Sequence, residues 1–156
     1  MESSPLRRQD RAISREDAIE ILQVEEYGVL STVGEDGIPY GVPVSYVVDQ
    51  EAIYFHGARE GQKITNIHYQ PWVSFSVVGP TEPKFNGTYT TLYESVIVRG
   101  LAARVEDDTE KKRILRLLCQ KYLPGHMEHF EDAMQALPMT DVWKISMDHV
   151  SGKANR

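Results

Sequence analysis

The residues His56-Gly57-Ala58-Arg59-Glu60-Gly61-Gln62-Lys63 carry the types and spacing needed to hold an anion. Two glycines permit a tight turn, and Lys63 brings a flexible cation. If a helix starts at this turn, its first backbone N–H groups are free and its dipole places partial positive charge there. A lysine is unfavourable at that helix end unless something negative is held beside it. A phosphate is the natural occupant. The same residues also read as a solvated loop with a surface lysine, and composition does not separate the two.

The flanking elements support a strand–turn–helix arrangement. Ala52-Ile53-Tyr54-Phe55 reads as a strand, and residues 62–69 read as a helix with Ile64 and Ile67 on one face. Upstream, residues 1–13 form a polar arm with Arg7, Arg8 and Arg11. Ser14 begins a short amphipathic helix running to about Glu26, with Ser14 as cap and Asp17 placed to reach back. Tyr27–Val33 is a strand, Asp36-Gly37 a hairpin turn, and Ile38–Val48 a second strand. That second strand carries Pro39, Gly41 and Pro43. Prolines confine it to an edge or a bulge, and the glycine allows close approach of a ligand. An ordinary protected edge strand explains the same residues.

Downstream, Pro71–Val78 alternates apolar and small residues as a half-buried strand does. Residues 79–87 read as a loop on their glycine and proline content. Residues 90–105 form the longest β-like stretch, with a bend expected near Gly100. A helix follows from Asp107, with a core face of Ile114, Leu115, Leu117, Leu118 and Tyr122, and ends at Pro124-Gly125. Cys119 lies in this run and reads as core. Residues 126–136 predict a weaker helix. His126, Glu128 and His129 match no standard metal-ligand spacing, and no metal site is expected. Thr140–Met147 is the last strand.

The chain has 156 residues and a net charge of −6, with a single cysteine. One domain spanning 1–156 is expected, with the arm at 1–13 and a tail at 148–156. The acidity argues against nucleic acid or an anionic membrane as partner. No intrachain disulfide can form, no signal-peptide pattern opens the chain, and no run approaches the roughly 20 apolar residues of a membrane span. A cytoplasmic location is the expectation. Dinucleotide, Walker, nucleophile-elbow and Cys-x-x-Cys motifs are absent.

An ordered set of motifs then points to a family. Residues 36–44 (Asp-Gly-Ile-Pro-Tyr-Gly-Val-Pro-Val), 53–58 (Ile-Tyr-Phe-His-Gly-Ala), Gly61-Gln62-Lys63, residues 93–100 (Tyr-Glu-Ser-Val-Ile-Val-Arg-Gly) and Gly152-Lys153-Ala154 occur in that sequence. Over residues 7–153 the chain resembles flavin-binding split-barrel proteins related to pyridoxamine 5′-phosphate oxidase, within them most the nitroimidazole-resistance (Nim) branch. The resemblance implies a mainly β fold, a six-stranded antiparallel split barrel with flanking helices. It implies a homodimer with FMN at the subunit interface. It assigns Lys63 to the phosphate and the backbone of Pro43, Val44 and Ser45 to the ring, and it counts Gln62 among the cofactor-binding residues. His56, Gly57 and Ala58 line the cofactor, with His56 as the candidate catalytic residue. Ser95 approaches the phosphate, and Trp143 in the last strand completes the set. Arg8 or Arg11 is a candidate to reach the site across the dimer. The implied activity is FMN-dependent reduction of a small aromatic or nitro compound. A flavin-storing or sensing protein without turnover, or a barrel holding haem or a deazaflavin, remains open. The basic residues that grip the substrate phosphate in pyridoxamine phosphate oxidase itself have no counterparts in the C-terminal part, so that reaction is not expected.

Overall fold

The computed structural model of the protein describes residues 4–156. Residues 1–3 of the expected arm lie outside the described residues. Gln9–Arg11 form a 3-10 turn, and β1 (Ala12–Ile13) leads into α1 (Arg15–Val24). The Ser14 hydroxyl accepts from the Asp17 amide at 3.0 Å, the cap expected from the sequence.

The remaining strands are β2 (Tyr27–Val33), β3 (Pro39–Ser45), β4 (Val47–Asp49), β5 (Ala52–Gly57), β6 (Trp72–Val78), β7 (Glu82–Phe85), β8 (Tyr89–Arg104), β9 (Asp141–Ser146) and β10 (His149–Asn155). All pairings are antiparallel, in the order β3-β2-β6-β8-β9-β5-β4, with β10 and β7 also on β8 and β1 on β10. The strand count differs from the six expected, and the reason is visible in the chain. Tyr46 alone separates β3 from β4, residues 147–148 separate β9 from β10, and residues 79–81 separate β6 from β7. Joined across these breaks they make six long strands, and β1 is an added short one. The path closes on itself, because the chain that pairs with β2 as β3 pairs with β5 as β4.

Tyr46 marks the point where that strand changes partner. Its ring is fully buried, edge-on to Phe75 at 4.9 Å, and its hydroxyl donates to the Leu22 carbonyl at 2.6 Å. The Tyr122 hydroxyl bridges the interrupted backbone, accepting from the Tyr46 amide and donating to the Tyr46 carbonyl. A side chain thus replaces the ladder bonds lost at the break.

Leu30, Phe55, Phe75, Val96, Val98, Trp143 and Ile145 fill the barrel. Helix α1 adds Ala18, Ile21 and Leu22 to that core, and α2 (Gln62–Tyr69) adds Ile64 and Ile67. Outside the barrel, α3 (Asp108–Tyr122) lays Ile114, Leu115 and Leu118 against Ala52, Tyr54 and Val142. Asp107 caps it by accepting from the Glu110 amide at 2.9 Å.

Three expectations are corrected. The stretch 148–156 is not a tail after the last strand: His149–Asn155 form β10, which continues β9 and pairs with β8 and β1. The loop at 79–87 contains β7, because Pro83 sits on an edge strand that pairs only with β8. The helix expected at 126–136 is instead 3-10 structure at Pro124–His129, the short α4 (Phe130–Ala133), and 3-10 structure again at Met134–Met139. Pro138 and a non-helical backbone at His126 prevent a continuous α-helix. No helix among the described residues is long and apolar enough to cross a membrane.

Candidate functional site

Alternation along the strands decides where each candidate points. In β5, Ile53 and Phe55 enter the barrel core, so His56 faces outward with Tyr54. In β3 and β4, Val42, Val44, Tyr46 and Val48 face the core, so Pro43 and Ser45 face outward. Val47 pairs with Tyr54.

Ser45 and His56 do share a wall. With Leu115, Leu118, Cys119, Tyr122, Leu123 and Met134 they line a cavity of about 460 Å³. That size lies within the range of small-molecule sites. His56 is exposed at its mouth, yet burial by surrounding atoms pushes its imidazole below the ordinary histidine value. At neutral pH the ring is therefore uncharged, with one nitrogen donating and the other accepting.

The α2 end supplies the other part. Gly61, at φ +134°, adopts a backbone that only glycine takes readily, and it starts the helix. Its carbonyl accepts from Ile64 and Thr65. The amides of Gln62 and Lys63 are then among the orphan donors of the first turn. Lys63 is half-buried and leans over Gly57: a methyl group there would lie 3.8 Å from Nζ. Lys63 and Gly57 therefore adjoin; because Gly57 shares the face of Phe55 in the alternation of β5, the Lys63 amine stands across the end of that strand from the His56 side chain. Ala58 is exposed just beyond.

The structure separates the other candidates. Gln62 turns its amide to Asn66 Oδ1 at 2.7 Å, and buried Asn66 donates to Thr32 at 3.0 Å. Gln62 thus braces the helix against β2. Ser95 lies on β8 between Val78 and Lys153, on an outward face with Ile97. Trp143 is buried in the barrel core, edge-on to His68 at 5.8 Å, and its indole N–H is buried without a partner. It also borders a separate cavity of about 520 Å³ with Arg59, His68, Arg104 and Asp141. Arg8 is held by Asp10 at 2.5 Å, while Arg11 lies over the Tyr93 ring at 5.9 Å.

Sequence reasoning missed the α3 wall. Cys119, expected in the core, packs half-buried against the α3 core cluster and also borders the cavity. Leu115, Leu118, Cys119 and Tyr122 recur at three- and four-residue spacing, which marks a face without saying whether it packs or lines a cleft.

Beyond the cavity the cover of α3 ends. The outward residues Tyr27, Ser31, Pro43, Ser74, Ser76 and Ile97, on β2, β3, β6 and β8, are half-buried or exposed. The Ser45–His56 cavity sits where the covered part of the barrel meets this bare sheet.

The sequence model of the family described as pyridoxamine 5′-phosphate oxidase matches residues 14–154. No curated protein matches the chain. Among solved structures, a protein from Bacteroides thetaiotaomicron named for 5-nitroimidazole antibiotic resistance is 22% identical, with a TM-score of 0.81 over 91% of this chain and 85% of that one. A conserved hypothetical protein from Mycobacterium tuberculosis is 21% identical, with a TM-score of 0.82 over 97% of this chain and 91% of that one. The flavocytochrome Anf3 from Azotobacter vinelandii is 20% identical, with a TM-score of 0.79 over 97% of this chain and 72% of that one. At these identities the likeness is one of fold.

Proposed function

This chain belongs to the pyridoxamine 5′-phosphate oxidase family, and from that premise we propose that it is an FMN-binding oxidoreductase that reduces small aromatic or nitro compounds. The observation that carries the reading is the pair Ser45 and His56 on one cavity of about 460 Å³; Lys63 stands across the end of β5 from it, beside Gly57. Lys63 and the free amides at the start of α2 would grip the phosphate. The β3 backbone at Pro43, Val44 and Ser45 would lie along the ring, where Pro43 offers no amide donor. Leu115, Leu118 and Met134 would exclude water from one side. His56, neutral at physiological pH, would donate one hydrogen bond to a bound substrate and accept another. The bound flavin supplies the electron-pair chemistry, and these side chains bind, orient and shield.

The second side of the cleft is open toward the bare sheet. In this reading a second copy closes it, so the functional unit is a homodimer with cofactor at the interface, to which Ser95 and Arg11 of that outward face contribute. The substrate class is supported by the nitroimidazole-named neighbour, and the flavin by the flavocytochrome.

The visible spectrum of the purified protein tests the reading. Flavin bands retained through gel filtration support it. A colourless protein that ignores added FMN refutes it, and a haem spectrum replaces it. Anaerobic mixing with a nicotinamide and a nitroimidazole then tests turnover. Reoxidation of flavin that depends on the nitro compound identifies a reductase, and none leaves a flavin-storing protein.

A further inference from the structure

His126, Glu128 and His129 do not match a standard ligand spacing, yet the fold brings them together. Within the 3-10 stretch Pro124–His129, His126 leaves helical geometry at φ −126°, ψ 24°. That kink sets its imidazole over that of His129, with ring centroids 6.4 Å apart and planes 24° from parallel. Glu128 Oε1 lies 3.3 Å from His129 Nε2. One ligand atom from each of the three residues falls within 4.8 Å of the other two.

We propose that these three side chains form a surface site for a divalent transition-metal ion. In a tetrahedral site with bonds of about 2.0–2.1 Å, ligand atoms lie about 3.3 Å apart. The ligand atoms, within 4.8 Å of one another, have to close to that spacing, and the near-parallel imidazoles have to rotate so that their in-plane lone pairs converge on one point. All three side chains are exposed, so such rotations displace no packed neighbour. Two imidazoles and one carboxylate select Zn²⁺ or Cu²⁺ over Mg²⁺ and Ca²⁺, which want oxygen ligands. Three protein ligands leave a fourth position for water. The site lies apart from the proposed flavin cleft. The ion would tie the ends of an irregular turn together. Leu123, which immediately precedes that turn, and Met134, which follows α4, both wall the Ser45–His56 cavity. The metal would therefore order one wall of that cavity without touching it.

The competing zinc site is Cys119 with His56, which line one cavity. Calorimetric titration of the full chain, stripped with chelator and dialysed, separates the two. One Zn²⁺ per chain is expected, with no heat from Mg²⁺. His126→Ala and His129→Ala should each lower the affinity by roughly tenfold or more. Cys119→Ser should leave it unchanged. Zn²⁺ should slow amide exchange over residues 123–134. The Co²⁺ form should lack a thiolate charge-transfer band. Failure of the wild type to take up Zn²⁺ overturns the proposal. So does uptake that survives both histidine changes, or uptake that is lost with Cys119→Ser.

Discussion

Lys63 is half-buried, and its amine forms no ion pair among the described residues. A cation held beside a helix start in an acidic chain lacks compensation until an anion arrives. Lys63→Ala should weaken FMN binding by about 1.5–3 kcal/mol, the range of a charge-assisted hydrogen bond, and leave riboflavin binding unchanged. Fluorescence titration with both flavins checks this, and an equal loss for riboflavin would show that the fold, not the phosphate contact, was damaged. In the Ser45–His56 cavity, burial lowers the His56 pKa. Its imidazole resonances should titrate below the ordinary value of about 6.5, and His56→Gln should remove the shifted titration while retaining bound flavin. A midpoint at or above the ordinary value would contradict the neutral ring proposed for substrate contact. The spacing of Gly57, Gly61 and Lys63 was legible because a turn and a helix start are local matters. The side-chain direction of Gln62, turned to Asn66, was not, since Asn66 is itself placed by Thr32 on another strand.

Strand β8 is the element that serves both halves of the barrel. It pairs with β6 and β10 up to the region of Gly100, then with β9 from Ala102. At Gly100 the chain passes so close to the Ser146 carbonyl that a Cβ would lie 1.6 Å from its oxygen. Backbone cannot yield as a flexible side chain does, so Gly100→Ala should cost roughly 3 kcal/mol or more, read from urea unfolding. The break between β3 and β4 makes a second prediction. Burial raises the pKa of Tyr46 above the ordinary tyrosine value, with the same direction at Tyr54 and Tyr122. The folded state keeps these phenols neutral, so their contribution is complete below the unfolded value of about 10 and is lost as pH rises beyond it. Stability should therefore fall above about pH 10, and Tyr46→Phe should flatten that fall while removing about 1 kcal/mol at neutral pH for the lost bond to Leu22. The helices α1, α2 and α3 were readable from caps and apolar spacing. Strand β7 was not, because Pro83 and its flanking glycines carry loop signals that long-range pairing with β8 overrides.

On the scale of the whole molecule, one side of the barrel is covered by α3 and the other is bare. Ile97 is 44% exposed at the centre of the bare sheet, among serines and other small side chains. On the proposed homodimer, Ile97→Lys should leave the monomer folded but abolish association through this face, with flavin affinity falling in step. Sedimentation equilibrium with and without FMN checks this, and a wild-type monomer that binds FMN fully would end the interface reading. Taken alone, the amino-acid sequence determined most of the strand and helix types, the glycine turn before Lys63 and the membership of the pyridoxamine 5′-phosphate oxidase family. Those features depend on local propensity and on motif order along the chain. Only the tertiary structure decided that Ser45 and His56 line one cavity, that Cys119 borders it, that Trp143 lies in the core and that His126 meets His129. Each of these depends on which strands pair, in what register, and where the backbone bends, and contacts between distant segments settle all three.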